Sequence, residues 1–400
     1  MTTAKPWSDV FGTPDRLDIS PMFAWLRREQ PLCRVRLPYG EAAWLVTRYE
    51  DAKVVLGDPR FSRAAAVDRD EPRVRPQRGV SGGLLRHDPP EHSRLRRLVA
   101  KAFTARRVEG LRPRAQQIAD QLIDRMMAQG PPAELVEDFA LPLPITVICE
   151  LLGVPVEDRV DFRLWSDAFL STTRFTPDQV TEYVGRMREY MAGLIAEHRE
   201  TPRDDLIGAL VTARDEQDRL SEEELLAMAQ AILVAGHETT ASQIPNFVYT
   251  LLTHPEQLAA LRADPGLIPQ AVEELMRYVP LGSSSRARYA LEDVELSGGT
   301  VPAGDPVLVS LEAANRDESV YSNADTLDLH RHEVSQIAFG YGPHRCLGAQ
   351  LARMELQVAL GALLQRLPGL RFAGTEQDIV WKTGTATRGP ARLPITWDRP

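Results

Sequence analysis

One cysteine in a glycine-rich loop that runs straight into a helix limits this chain more than any other feature. The loop is Phe339-Gly340-Tyr341-Gly342-Pro343-His344-Arg345-Cys346-Leu347-Gly348, and a helical apolar pattern follows from Leu347 to Leu367. A thiolate there faces the N-terminus of the helix, where open backbone N–H groups and the positive dipole end favour an anion. The glycines permit tight turns and close backbone approach to a flat ligand. His344 and Arg345 add donor groups beside the sulfur. Cys33 and Cys149 have no such setting and read as small buried hydrophobes. Other uses of the loop fail on spacing. A dinucleotide loop needs a third glycine where Arg345 stands, and zinc needs paired Cys or His ligands. His237-Glu238 starts like a zinc-protease helix, but Ala241 stands where the second histidine must be.

The loop resembles the haem-binding loop of the cytochrome P-450 family, with the phenylalanine, two glycines, histidine, cysteine and final glycine in register. That resemblance covers nearly the whole chain. It implies haem b (iron protoporphyrin IX) as cofactor, with Cys346 as axial ligand of the iron. It also implies a mainly α fold with a minor β-sheet region. No repeat, low-complexity run or Gly/Ser linker divides the sequence, so one domain over 1–400 is expected.

Element patterns agree with a helix-dominated chain. Short helices are expected at Pro21–Gln30 and Tyr49–Leu56, flanking strands at Arg34–Leu37 and Ala43–Thr47. Residues 60–90 are rich in Arg, Asp, Pro and Gly without a clean period, and a loop that long in a compact domain tends to carry function. Helices then follow at roughly 91–103, 109–129, 140–152, 157–172, 176–198 and 203–214. Ser221 with Glu224 three residues on forms a capping box, opening a long helix to about Leu252. Shorter helices are expected at 255–262 and 267–279, and strands near 286–289, 293–296 and 306–310.

Inside the long helix stands Ala235-Gly236-His237-Glu238-Thr239-Thr240. Glycine costs about 1 kcal/mol against alanine in a helix, and threonine competes for backbone carbonyls. Glycine, acid and hydroxyl together predict a locally opened turn with room for a small molecule. By the resemblance, Glu238 and Thr239 are the acid–alcohol pair on the oxygen side: Glu238 relays protons and Thr239 hydrogen-bonds the dioxygen. Pro245, six residues on, removes a backbone donor and predicts either a tolerated bend or a kink over the substrate.

His92 and Arg96 are four apart on the helix that starts after Asp88-Pro89-Pro90, so they share a face. The resemblance makes them propionate ligands, together with His344 and the strand residue Arg288; Arg286 is the competitor for that last role. Glu274-Leu275-Met276-Arg277 places acid and base on one face. In the family such a pair is structural and joins a second arginine, here Arg331.

The net charge of −9 speaks against nucleic acid. Between Arg94 and Arg107, however, Arg94, Arg96, Arg97, Lys101, Arg106 and Arg107 stand with no acid among them. This is either a solvated helix face or a docking surface for an acidic ferredoxin-type electron donor, contacting Arg94, Arg97, Lys101, Arg106 and Arg107. Three cysteines give no disulfide framework, which fits the cytoplasm. Met1 to Asp18 is polar and lacks the apolar core of a signal peptide or membrane span. A soluble monomer is expected.

The expected activity is a haem-thiolate monooxygenase using dioxygen and electrons from NAD(P)H. Segments Leu141–Pro155 and Ala102–Val108 are similar to actinobacterial members that tailor polyketides, so hydroxylation or epoxidation of a macrolide leads. Terpenoids, steroids, fatty acids and peptides stay open as substrates. Residues 61–90 and 157–198, Ser283 to Ser285 and Thr383 to Arg388 are expected to line the pocket. A haem sensor or gas carrier, or a peroxide-driven enzyme, would not need both Glu238 and Thr239.

Overall fold

The computed structural model describes residues 4–12, 16–76, 83–155, 158–215, 220–282 and 286–399. Ser283 to Ser285 and the stretch 77–82 of the long loop lie outside them. The chain divides into two compact units, Met1–Arg94 with Glu273–Cys346 and Leu95–Val272 with Leu347–Pro400.

The first unit holds a six-stranded sheet in the order Lys5–Pro6, Leu32–Arg36, Ala43–Val46, Pro306–Val309, Arg288–Ala290, Phe61–Ser62. Its pleat sorts side chains by parity. Leu32, Val46, Val307 and Val309 enter one apolar cluster, while Cys33, Val35, Leu45 and Leu308 enter another. With both faces covered, Pro306–Val309 can be apolar throughout. Helices Met22–Glu29 and Tyr49–Gly57 fall where the apolar spacing puts them. The expected strand near 293–296 is half of a hairpin, Val294–Leu296 with Gly299–Val301.

The second unit is helical. Ala105–Gln129, Pro142–Leu152, Arg159–Phe169, Pro177–Glu200, Leu206–Asp215, Glu222–Leu252 and Ala349–Arg366 are its main helices. Glu222–Leu252 packs against Pro142–Leu152, Pro177–Glu200 and Ala349–Arg366. Gln243 to Leu251 are all buried, so this helix is a central strut rather than an amphipathic lid. The Ser221 box is formed: the Glu224 N–H donates to Ser221 Oγ (3.1 Å), and the Ser221 N–H donates to Glu224 Oε2 (2.7 Å). The helix runs unbroken through Pro245. No opened turn interrupts it at Gly236 either. A Cβ at Gly236 would lie 2.6 Å from Ile148, so the glycine serves close helix packing instead. Two small sheets complete the unit, pairing Val380–Trp381 with Pro390–Arg392 and Pro394–Thr396 with Arg371–Phe372 and Ala133–Glu134. Among the described residues no helix is long and apolar enough to cross a membrane.

Candidate functional site

The cysteine loop is held by its own backbone. The Cys346 N–H donates to Phe339 O (2.8 Å) and the Gly340 N–H to Ile337 O (2.8 Å). Gly342, at φ +70°, has no room for a side chain: a Cβ would sit 2.5 Å from Leu56 O. Cys346 is exposed, whereas Cys33 and Cys149 are buried. Burial pushes the Cys33 thiol up to about 11 despite the attraction of Lys5, so it stays protonated and inert. Helix Ala349–Arg366 begins at Gly348 without a side-chain cap.

The first unit gathers cations and imidazoles near this loop. The rings of His92 and His344 lie 4.2 Å apart. Arg288, on its strand, is buried, and Arg63 and Asp88 act on it. Burial, then His92, Arg288 and Arg63, drive the His344 imidazolium down to about 3. Asp88 accepts from the Ser62 hydroxyl and from the N–H groups of Arg63 (2.8 Å) and Ala64 (3.2 Å). Burial opposes its charge, but those bonds outweigh it and keep its carboxyl below the usual range. Both ring nitrogens of His344 and Nη2 of Arg63 are buried without a hydrogen-bond partner. Buried donors need acceptors, and a haem's two propionates are acceptors of the right charge. With an exposed thiol in the glycine loop as well, these residues fit a haem. Arg96, half-buried on helix Glu91–Ala100, belongs to the second unit. Arg286 falls among Arg63, Arg86 and Glu71.

In the second unit Glu238 is buried, and its Oε1 accepts from Lys382 Nζ (2.7 Å), Ser242 Oγ (3.2 Å) and Thr387 Oγ1 (3.3 Å). Burial alone would raise this carboxyl, but the Lys382 ammonium and the hydroxyl donors hold it below the ordinary carboxylate range. Asp167 feels burial first and then the Glu238 charge, and both push it up, although Arg174 pairs with it at 2.9 Å. Thr239 donates its hydroxyl to Ala235 O (2.9 Å), which leaves Oγ1 lone pairs to accept. Beside Glu238, His237 contacts Leu233 O through Nδ1 (3.1 Å) and borders a cleft of about 350 Å³ with Arg125, Glu137 and Arg163. Glu355 is fully buried, and burial raises its carboxyl well above the usual range.

The Glu-x-x-Arg pair is a buried fork in the first unit. Arg277 Nε and Nη2 donate to the two oxygens of Glu274 at 2.7 Å each, and Arg331 Nε donates to Oε1 at 3.2 Å. Arg277 also ties down the carbonyls of Asn315 (2.9 Å) and Ala324 (2.7 Å), which is a structural duty.

Sequence reasoning missed Lys382 and Ser242, and it reached Thr387, Arg63 and Asp88 only as members of the expected pocket-lining stretches 383–388 and 61–90, with no role for any of them. None lies at a telling spacing from the residue it serves. Only Asp88 stood beside a recognised pattern, one turn before His92, where its carbonyl accepts the His92 N–H (2.9 Å).

Comparison with known proteins agrees with this geometry. The cytochrome P450 family model matches residues 18–265 and 266–371, so the chain belongs to that family. It is a monooxygenase with a haem-thiolate cofactor, drawing on dioxygen and a redox partner. The chain is 54% identical to mycinamicin IV hydroxylase/epoxidase of Micromonospora griseorubida, over 99% of this chain and 100% of that one. It is 51% identical to nocardicin C N-oxygenase of Nocardia uniformis, again over 99% and 100%. The solved structure of the LnmA P450 hydroxylase of the leinamycin pathway of Streptomyces atroolivaceus superposes with a TM-score of 0.92 at 50% identity, covering 98% of this chain and 100% of that one.

Proposed function

We propose that this enzyme hydroxylates or epoxidises a macrolide or related polyketide, with haem b as its cofactor and Cys346 as axial ligand. The observation that carries the substrate is the 54% identity, end to end, to a mycinamicin hydroxylase/epoxidase. Haem, when bound, supplies oxidising power drawn from dioxygen, and thiolate donation favours O–O cleavage. His92, Arg96, Arg288 and His344 hold the propionates. Glu238, kept ionised by Lys382, takes up and passes on protons at Oε1, where three donors already converge. Thr239 Oγ1 gives up its bond to Ala235 O to orient the reacting oxygen.

Electrons come from NAD(P)H through a ferredoxin and reductase. The docking face consists of Arg97, Lys101, Arg106 and Arg107, all exposed; Arg94 contributes less, because it already pairs with Glu91 at 2.9 Å. The enzyme works in the cytoplasm as a monomer, and 1–400 acts as one haem domain; the three cysteines, which form no disulfide, suit that compartment. Identity of 51% to nocardicin C N-oxygenase favours a second reading, oxygenation at a nitrogen of the substrate. Titration of the haem enzyme with mycinamicin IV, followed by the Soret band, decides between them. A saturable shift with product formation supports the macrolide; no shift, beside turnover of nocardicin C, overturns it.

A further inference from the structure

The second unit holds a cleft whose floor carries a polar atom with nothing to bond. The cleft, of about 350 Å³, is lined from helices Ala105–Gln129, Pro142–Leu152 and Arg159–Phe169. Leu122, Met126 and Ile145 are buried and give it an apolar floor. His237 reaches that floor from helix Glu222–Leu252 and is itself fully buried. Its Nε2 has no hydrogen-bond partner.

The other ring nitrogen fixes what Nε2 can do. Nδ1 lies 3.1 Å from Leu233 O, and a carbonyl only accepts, so the ring proton sits on Nδ1. Burial holds the imidazolium below its usual range; Glu238 and Asp167 oppose that effect and Lys382 adds to it. The ring is neutral and Nε2 is a bare acceptor. With Nδ1 turned to the helix's own backbone, the edge that carries Nε2 is left for the cleft. A buried acceptor without a donor is costly.

The rim and the floor narrow the choice of donor. Arg163 Nη1 and Nη2 fork onto Glu137 at 2.5 and 2.6 Å, and Asp138 accepts the Glu134 N–H at 2.9 Å. Arg125 and Arg163 balance Glu137 and Asp138 in charge, so the rim favours a neutral molecule. Water would satisfy Nε2 but leave the apolar floor wet. A flat aromatic body covers Leu122 and Ile145 and suits the thioether of Met126. The volume is that of a small-ligand site. Thr239 stands two residues from His237, about 200° round the helix, so the cleft lies away from the Thr239 hydroxyl.

We infer that this cleft binds a small neutral phenol, whose hydroxyl donates to His237 Nε2 and whose ring lies on Leu122, Met126 and Ile145. The site is separate from the one where the organic substrate reacts, and it depends on neither reading of that substrate.

Equilibrium dialysis of the haem-loaded enzyme, without reductant, tests it with β-naphthol against its methyl ether, which keeps the rings and lacks the donor. The phenol should bind tenfold or more tighter. His237→Phe, which keeps a flat ring and removes the acceptor, should abolish that preference and spare binding of the ether. Crystals of the unsubstituted enzyme soaked in a bromine-labelled β-naphthol locate the molecule even where the variant does not fold. The anomalous peak of the bromine should lie in the cleft, with the hydroxyl on Nε2. Equal binding of phenol and ether, binding of neither, or a preference that survives His237→Phe overturns the inference. A bromine peak found only elsewhere, with water alone in the cleft, overturns it too.

Discussion

Replacing Lys382 by methionine should turn Glu238 from a buried anion into a buried acid. The pair is enclosed, with Lys382 14% and Glu238 5% exposed, and the contact is 2.7 Å. Removing one partner of a buried pair typically costs about 3–5 kcal/mol, because the other charge is left uncompensated. At about 1.4 kcal/mol per tenfold, that is a hundredfold or more in the protonation equilibrium of Glu238. Ser242 and Thr387 remain as donors but carry no charge, so they cannot offset the loss.

The sign follows from linkage. In the parent, the folded Glu238 carboxyl lies below its unfolded value, so it adds stability above the ordinary carboxylate range. That stability is lost as pH falls through the folded value. In Lys382→Met the folded value lies above the unfolded one, so this residue's contribution is present in acid and lost as pH rises. Urea midpoints measured from pH 4 to 8 should therefore show a positive Glu238 term in the parent and a negative one in the variant. Glu238→Gln/Lys382→Met, which removes both charges, should be more stable at pH 7 than Lys382→Met alone and should lack the term. Product formation by Lys382→Met should gain an ionisation near neutrality. Identical pH dependence of stability in parent and Lys382→Met would refute the reasoning.

Cys346→Ser should abolish the thiolate-type spectrum of the reduced carbon monoxide complex, since Cys33 and Cys149 are buried; a retained spectrum would reassign the ligand. Thr239→Ala should keep haem and substrate binding but divert NADPH into peroxide, measured as product per NADPH. Charge reversal by Arg97→Glu with Arg106→Glu should slow ferredoxin-driven turnover, with a salt-dependent deficit, and spare peroxide-driven turnover.

What the sequence made legible was local. The cysteine loop, the Ser221 box and the Glu274–Arg277 fork each lie within ten residues, so spacing alone specifies their geometry. The helices were legible because many residues repeat one period. Strands such as Phe61–Ser62 and Val380–Trp381 have two residues each and cannot display an alternation. Gly236 was misjudged because helix propensity cannot distinguish an opened turn from a close approach, and only the position of Ile148 decides.

Lys382 shows why the missing half of a polar site is harder to read than the first. It lies 144 residues from Glu238 and reaches it from the segment just after Val380–Trp381. The requirement was nevertheless implicit in the chain. An acid in the middle of a buried helix must be neutral or find a cation, since an isolated buried carboxylate is too costly. Sequence can therefore state that Glu238 needs a partner without saying which residue provides it.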